Sequence, residues 1–208
     1  MAEITEIVTG LQFPEGPIAM PDGSVILVEI ARGTLSRATA AGEIEVISDM
    51  GGGPNGAAIG PDGHCYVCNN GGFEWATRNG MTFPGEQAAD YTSGRIERVN
   101  LETGEFEVVY DNCNGEPLKG PNDIVFDRDG GFWFTDHGKN RARDRDRTGI
   151  FYARTDGSSI EEKVFPMEAP NGVSLSPDED WLCVAETPTG RVWAFELAGP
   201  GQFAQPGP

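Results

Sequence analysis

The sequence predicts an all-β propeller built from four-stranded antiparallel blades, and three features point to it. A proline followed by an oxygen-bearing residue recurs four times, as Pro14-Glu15-Gly16, Pro54-Asn55-Gly56, Pro121-Asn122-Asp123 and Pro170-Asn171-Gly172. Each of these marker residues is followed after seven positions by an aspartate (Asp22, Asp62, Asp129, Asp178) and after ten by a short apolar run. Nothing in the chain has sustained helical periodicity. Self-similar units of about 40 to 50 residues, each with turn signals and short apolar strands, are blades stacked around an axis.

The elements follow in order within each unit. A first strand follows the marker, as in Pro54-Asn55-Gly56-Ala57-Ala58-Ile59, and in a propeller it is the innermost strand. A tight turn comes next, with Pro and Asp-Gly supplying the fixed and positive φ angles that such turns need. The apolar runs form the second strand: Val25-Ile26-Leu27-Val28, Cys65-Tyr66-Val67-Cys68, Phe132-Trp133-Phe134 and Trp181-Leu182-Cys183-Val184. Their lack of alternation predicts burial on both faces. Third strands open at Gly33, Gly94, Gly149 and Gly190 and alternate polar with apolar residues, as half-exposed strands do. Fourth strands are read at Glu43–Ile47, Glu105–Val109 and Ile160–Phe165.

The markers lie 40, 67 and 49 residues apart. The long interval holds an insertion, Phe73 to Thr92, between a second and a third strand. It carries Trp75, Phe83 and Tyr91, and either roofs the central opening or packs its aromatics on a neighbouring blade. Three blades and most of a fourth account for the chain, read as one propeller domain over 1–208. It then runs out in Gly199 to Pro208, and an opening strand Ile4–Val8 has no blade of its own. The expectation is a ring lacking its C-terminal blades, whose open edges and faces favour self-association.

Composition narrows the function. The 208 residues carry a formal charge of −18, which repels phosphate backbones and excludes a nucleic-acid partner. The Arg141–Arg147 stretch interleaves Asp144 and Asp146 and reads as a solvated loop, with contact to an anionic substrate group as the alternative. No apolar run approaches the roughly 20 residues of a membrane helix, and no leader pattern opens the chain. Cys65, Cys68, Cys113 and Cys183 give no disulfide framework. Cys65 and Cys68 lie in one strand, where residues three apart face opposite sides. Reduced thiols and a cytoplasmic location are expected.

Carboxylate and amide oxygens gathered on innermost strands suit a hard divalent cation, Ca²⁺ above all. Glu15 is the only anionic marker, so a further carboxylate is expected from elsewhere. At Asn122 and Asn171, ligation and capping of the local turn are both open, whereas Asn55 is read as a turn cap. The Asp127-Arg128-Asp129-Gly130 turn lacks the spacing of an EF-hand. His64 is read as exposed. His137 lies toward the loop face, as a backbone-bonding residue or a proton carrier.

Phe13-Pro14-Glu15-Gly16-Pro17, Gly120-Pro121-Asn122-Asp123, and Pro170-Asn171-Gly172-Val173-Ser174-Leu175-Ser176-Pro177-Asp178 with Ala185-Glu186-Thr187 resemble the gluconolactonase/regucalcin (senescence marker protein) family. The resemblance runs over essentially the whole chain. It implies a six-bladed propeller, of which about four blades are present, with one divalent metal in the channel. The metal implied is calcium, with zinc, magnesium and manganese as alternatives. It further implies Glu15 and Asn171 as metal ligands, Asn122 as a contact to substrate and metal, and a small-molecule lactone as substrate. The remaining ligand, an aspartate that also activates water, is implied beyond residue 208, so no catalytic residue is assigned within the chain. Some relatives carry an arginine where this chain has Gly120. Organophosphate hydrolysis and a non-catalytic binding module are the alternative functions. The isolated chain is expected to be poorly soluble or oligomeric and nearly inactive.

Overall fold

A computed structural model describes residues 4–205. Its regular elements are β-strands, arranged as four antiparallel four-stranded sheets and two separate hairpins. The first sheet holds β1 (Pro14–Ala19), β2 (Val25–Glu29), β3 (Thr34–Ala38) and β4 (Ile44–Asp49) in that spatial order. The second begins with β5 (Pro54–Ile59) and β6 (Cys65–Asn69). It leaves for a hairpin of β7 (Phe73–Arg78) and β8 (Met81–Gln87), then returns as β9 (Arg95–Val99) and β10 (Phe106–Tyr110). A short hairpin, β11 (Asn112–Cys113) with β12 (Glu116–Pro117), leads to the third sheet. That sheet is β13 (Pro121–Phe126), β14 (Gly131–Asp136), β15 (Thr148–Arg154) and β16 (Ile160–Met167). The fourth is β17 (Pro170–Leu175), β18 (Trp181–Glu186), β19 (Arg191–Gly199) and β20 (Gln202–Phe203). These are the predicted blades.

Three apolar layers join the blades into an open arc. Ile26, Val28 and Leu35 of the first blade meet Cys65, Val67 and Val99 of the second. Tyr66, Cys68 and Ile96, on the other face of the second blade, meet Phe132, Phe134 and Phe151 of the third. Trp133, Ile150 and Tyr152 then pack against Val173, Leu182 and Val184 of the fourth. Cys65 and Cys68 thus serve two different layers, as the pleat requires, and all four cysteines are free. Burial of each large side chain contributes about 1.5–3 kcal/mol, so the stacked layers hold the blades in order.

The inner strands touch in sequence: β1 against β5, β5 against β13, β13 against β17. Their closeness has a local cause. A methyl group on Gly56 would be driven into the Asn122 carbonyl, and one on Gly16 would stand 2.7 Å from the Ala57 nitrogen. Glycine after the marker lets neighbouring backbones approach where side chains would wedge them apart.

Four expectations are corrected. Residues 4–8 form no strand. The fourth blade does gain an outer strand, β20, where the chain was read as running out. The third strands β3, β9 and β15 are almost wholly buried rather than half-exposed. Their polar residues face inward into hydrogen bonds, as when Ser36 donates to Glu29 (2.8 Å) and Asn69 to Glu97 (2.9 Å). Second strands are continuously buried in β6 and β14, but β18 alternates because only one face of its blade is covered.

Candidate functional site

The four markers are delivered by one repeated device. Pro14, Pro54, Pro121 and Pro170 pair across the sheet with Glu29, Asn69, Asp136 and Glu186. Each partner is buried and accepts from the backbone just ahead of its proline. Glu29 takes Gln12 N–H (2.7 Å), Asn69 takes Gly53 N–H (2.9 Å), and Glu186 takes Glu168 N–H (2.9 Å). Asp136 takes Lys119 (2.7 Å), Gly120 (2.8 Å) and Gly138 (2.8 Å). Burial pushes the Asp136 carboxyl above the usual carboxylate range, against the pull of these three donors. In every blade the pairing register then slips at or just after the marker, between Glu15 and Ile18, Pro54 and Gly56, Pro121 and Ile124, and Pro170 and Val173. Such bulges re-aim side chains out of the regular pleat.

The marker side chains share one property. Glu15 is exposed, Asn171 half-buried, and Asn55 and Asn122 are each 8% exposed. Among the described residues, none of the four side chains hydrogen-bonds to the protein; Asn171 takes part only through its carbonyl, which accepts from Thr135 Oγ1 (2.5 Å). The turn-cap role read for Asn55 is therefore absent. The contrast is Asn69, whose amide bonds Gly53, Gly71, Gly51 and Glu97. Among the described residues, none of the markers' side-chain polar atoms is both buried and unpartnered, so these oxygens on four adjoining bulges are open to solvent and free to take a ligand.

Among the described residues no group of three or more His, Cys, Asp or Glu could hold a metal. A cation here would depend on Glu15 and amide oxygens, a donor set that suits calcium and not zinc, which favours nitrogen and sulfur. The nearest additional carboxylate along the inner strands, Asp123, is committed elsewhere. It accepts from Val173 N–H (2.9 Å) and Ile124 N–H (2.9 Å), tying β13 to β17. Burial holds it above the ordinary range.

Other sequence candidates lie outside this set. His64 is half-buried rather than exposed; it contacts Arg98 (3.1 Å), and Arg98 is paired with Asp62 (2.7 Å). His64 and Arg98 border a cleft of about 710 Å³ between the outer strands of the first two blades. The His64 turn joins the far end of β5 to β6, so His64 lies at the opposite end from the markers. His137 donates its backbone N–H to Gly120, and burial lowers its ring pKa. In the arginine-rich loop, Arg141 pairs with Asp144 (2.5 Å) and Asp146 (2.7 Å), and Arg147 with Glu168 (3.1 Å), which matches the solvated-loop expectation.

The anchoring residues escaped the sequence reading, although their signal was present. Glu29, Asn69 and Asp136 follow their markers by 14 residues and Glu186 by 15, each closing a second strand.

The chain is similar to the gluconolactonase of Zymomonas mobilis, 26% identical over 95% of this chain and 56% of that protein. It is similar to the diisopropyl-fluorophosphatase of Loligo vulgaris, 30% identical over 47% of this chain and 34% of that protein. The fold matches a solved gluconolactonase from Xanthomonas campestris with a TM-score of 0.71 at 21% identity, covering 94% of this chain and 61% of that one. The chain thus spans a little over half the length of the gluconolactonases it matches. Residues 13–206 match the family model for the SMP-30/gluconolactonase/LRE-like region, and the chain belongs to that family.

Proposed function

We propose that Glu15, Asn122 and Asn171 hold one divalent cation, calcium first, and that the whole protein hydrolyses lactones. The observation that carries this is the set of unbonded carboxylate and amide oxygens on adjoining bulged inner strands, within a chain of the gluconolactonase-like family. The bound cation would supply Lewis-acid polarisation of the lactone carbonyl. Glu15 contributes the anionic oxygen, and Asn122, on the strand that packs against the strand of Asn171, orients the substrate oxygen. Asp136 and Glu186 hold the loops that carry both asparagines, so the donors keep their places without rearranging. No residue of this chain is assigned the water-activating role. The free thiols fit a cytoplasmic setting.

A second reading, hydrolysis of an organophosphorus ester, has its own support in the similarity to the fluorophosphatase. The same oxygens would then face a phosphoryl oxygen. The test is hydrolysis of gluconolactone, followed by acid release, by the whole protein. Turnover is expected with calcium and lost on chelation. Turnover that survives both chelation and Glu15→Gln would overturn the cation site.

A further inference from the structure

The insertion after β6 is a surface hairpin with a buried, charged root. Its strands β7 and β8 are mostly exposed, including Met81 and Phe83. Its root is held by Lys139 of the third blade, which is only 1% exposed. The Lys139 ammonium donates to Asn70 O (3.0 Å), Asn70 Oδ1 (3.2 Å) and Gly72 O (2.5 Å). It lies 4.0 Å from the Phe73 ring centroid and 5.4 Å from that of Tyr91. Tyr91 in turn donates to Lys119 O (2.7 Å), and Gln87 N–H to Asn140 O (2.9 Å). Gly71 completes the root: at φ +79°, any side chain there would meet the Tyr91 ring at 2.5 Å.

The hairpin's other contact is on the first blade. Trp75 packs on Phe13 with centroids 5.1 Å apart, and Phe73 packs edge-on against Trp75 at 5.9 Å. Phe13 immediately precedes Pro14-Glu15 and has φ 57°. That backbone region is costly for a bulky residue and tends to occur where function holds it. A hairpin of the second blade therefore reaches the first blade beside Glu15 and the third blade at Lys139. Burying an ammonium is expensive when its acceptors are carbonyls and an amide rather than a carboxylate. Burial lowers the Lys139 pKa to about 8, with Asp136 and Asp146 opposing the shift. Such a tether adds little stability; what it provides is a fixed position.

We propose that this hairpin is the specificity wall of the marker site, with Trp75 and Phe13 as an aromatic subsite and Lys139 as the positioning residue. The subsite takes the apolar substituent of a lactone bearing an alkyl or aryl group. This rests on the lactone reading above. Both rings are half-buried and offer apolar surface next to an otherwise polar site, whereas Phe83 and Met81, paired with Ala76 and Arg78, lie on the hairpin's other face.

The test measures, by calorimetry in calcium, binding of γ-butyrolactone and of its pentyl-substituted relative γ-nonalactone to the 208-residue chain. Trp75→Ala is expected to weaken γ-nonalactone binding about tenfold, the scale set by apolar pocket contacts, and to leave γ-butyrolactone unchanged. Lys139→Met should give the same selective loss together with faster tryptic cleavage at Arg78, near the hairpin turn. Equal effects of Trp75→Ala on both lactones, or no effect on either, overturn the wall alone. Failure of both lactones to bind the unaltered chain overturns the lactone reading and the wall with it.

Discussion

Asp136→Ala is expected to lower stability by about 3–5 kcal/mol, because it leaves three backbone donors, two buried and one partly buried, without an acceptor, and each costs about 1–3 kcal/mol. The donors are the N–H groups of Lys119, Gly120 and Gly138, and the carboxylate that serves them is 1% exposed. Domains are stable by only about 5–15 kcal/mol, so this change removes a large share. Urea unfolding reports it directly: the midpoint should fall by more than about 1 M at ordinary m-values. Asp136→Asn keeps one acceptor oxygen but turns an amide NH₂ toward the donors, so its midpoint should lie between the two. An unchanged midpoint for Asp136→Ala would show that water replaces the carboxylate, and that the loop ahead of Asn122 is not held from within.

Glu15→Gln is expected to weaken calcium binding by about 100-fold or more, since losing even a residue that merely orients a ligand costs about 10–100-fold. Glu15 is the only anion among the four markers, and the inner-strand carboxylate of Asp123 is already engaged by Val173 and Ile124. The substitution preserves size and an oxygen donor while removing charge. Glu15 is exposed and its side chain bonds no other group among the described residues, so folding should be untouched. Calorimetric titration alongside Asn122→Ala and Asn171→Ala gives the ranking, with Glu15→Gln showing the largest loss. Unchanged affinity would remove Glu15 from any metal site.

The blades were legible because turn and strand chemistry is local. Asp22 caps its own turn, accepting from Ser24 N–H (2.9 Å), and the Asp62 turn repeats the device with His64 (3.1 Å). In the third blade the accepting residue is Asp127, which takes both Asp129 and Gly131, so the aspartate at the repeat position is not the cap there. The insertion is a hairpin turning at Asn79-Gly80, with φ 53° and 77°. An Asn-Gly pair between alternating segments is a strong short-range hairpin signal, and here it marks the turn. The third strands misled for another reason. Polar alternation marks solvent only when polar residues lack internal partners, and Ser36, Glu97 and Thr34 have them. The markers were legible as a set through their recurrence. The bulges at the markers, and the unbonded state of the marker side chains, follow from cross-strand register and could not be read from spacing.

The most direct measurement is a crystal structure of the chain grown with calcium, with strontium substituted for anomalous identification. One ion is predicted, with oxygens of Glu15, Asn122 and Asn171 all at about 2.3–2.6 Å from it. Side chains of these three residues lying more than about 10 Å apart, or an ion held elsewhere while they stay free, would contradict the shared site, because ligands of one calcium ion lie within its coordination radius.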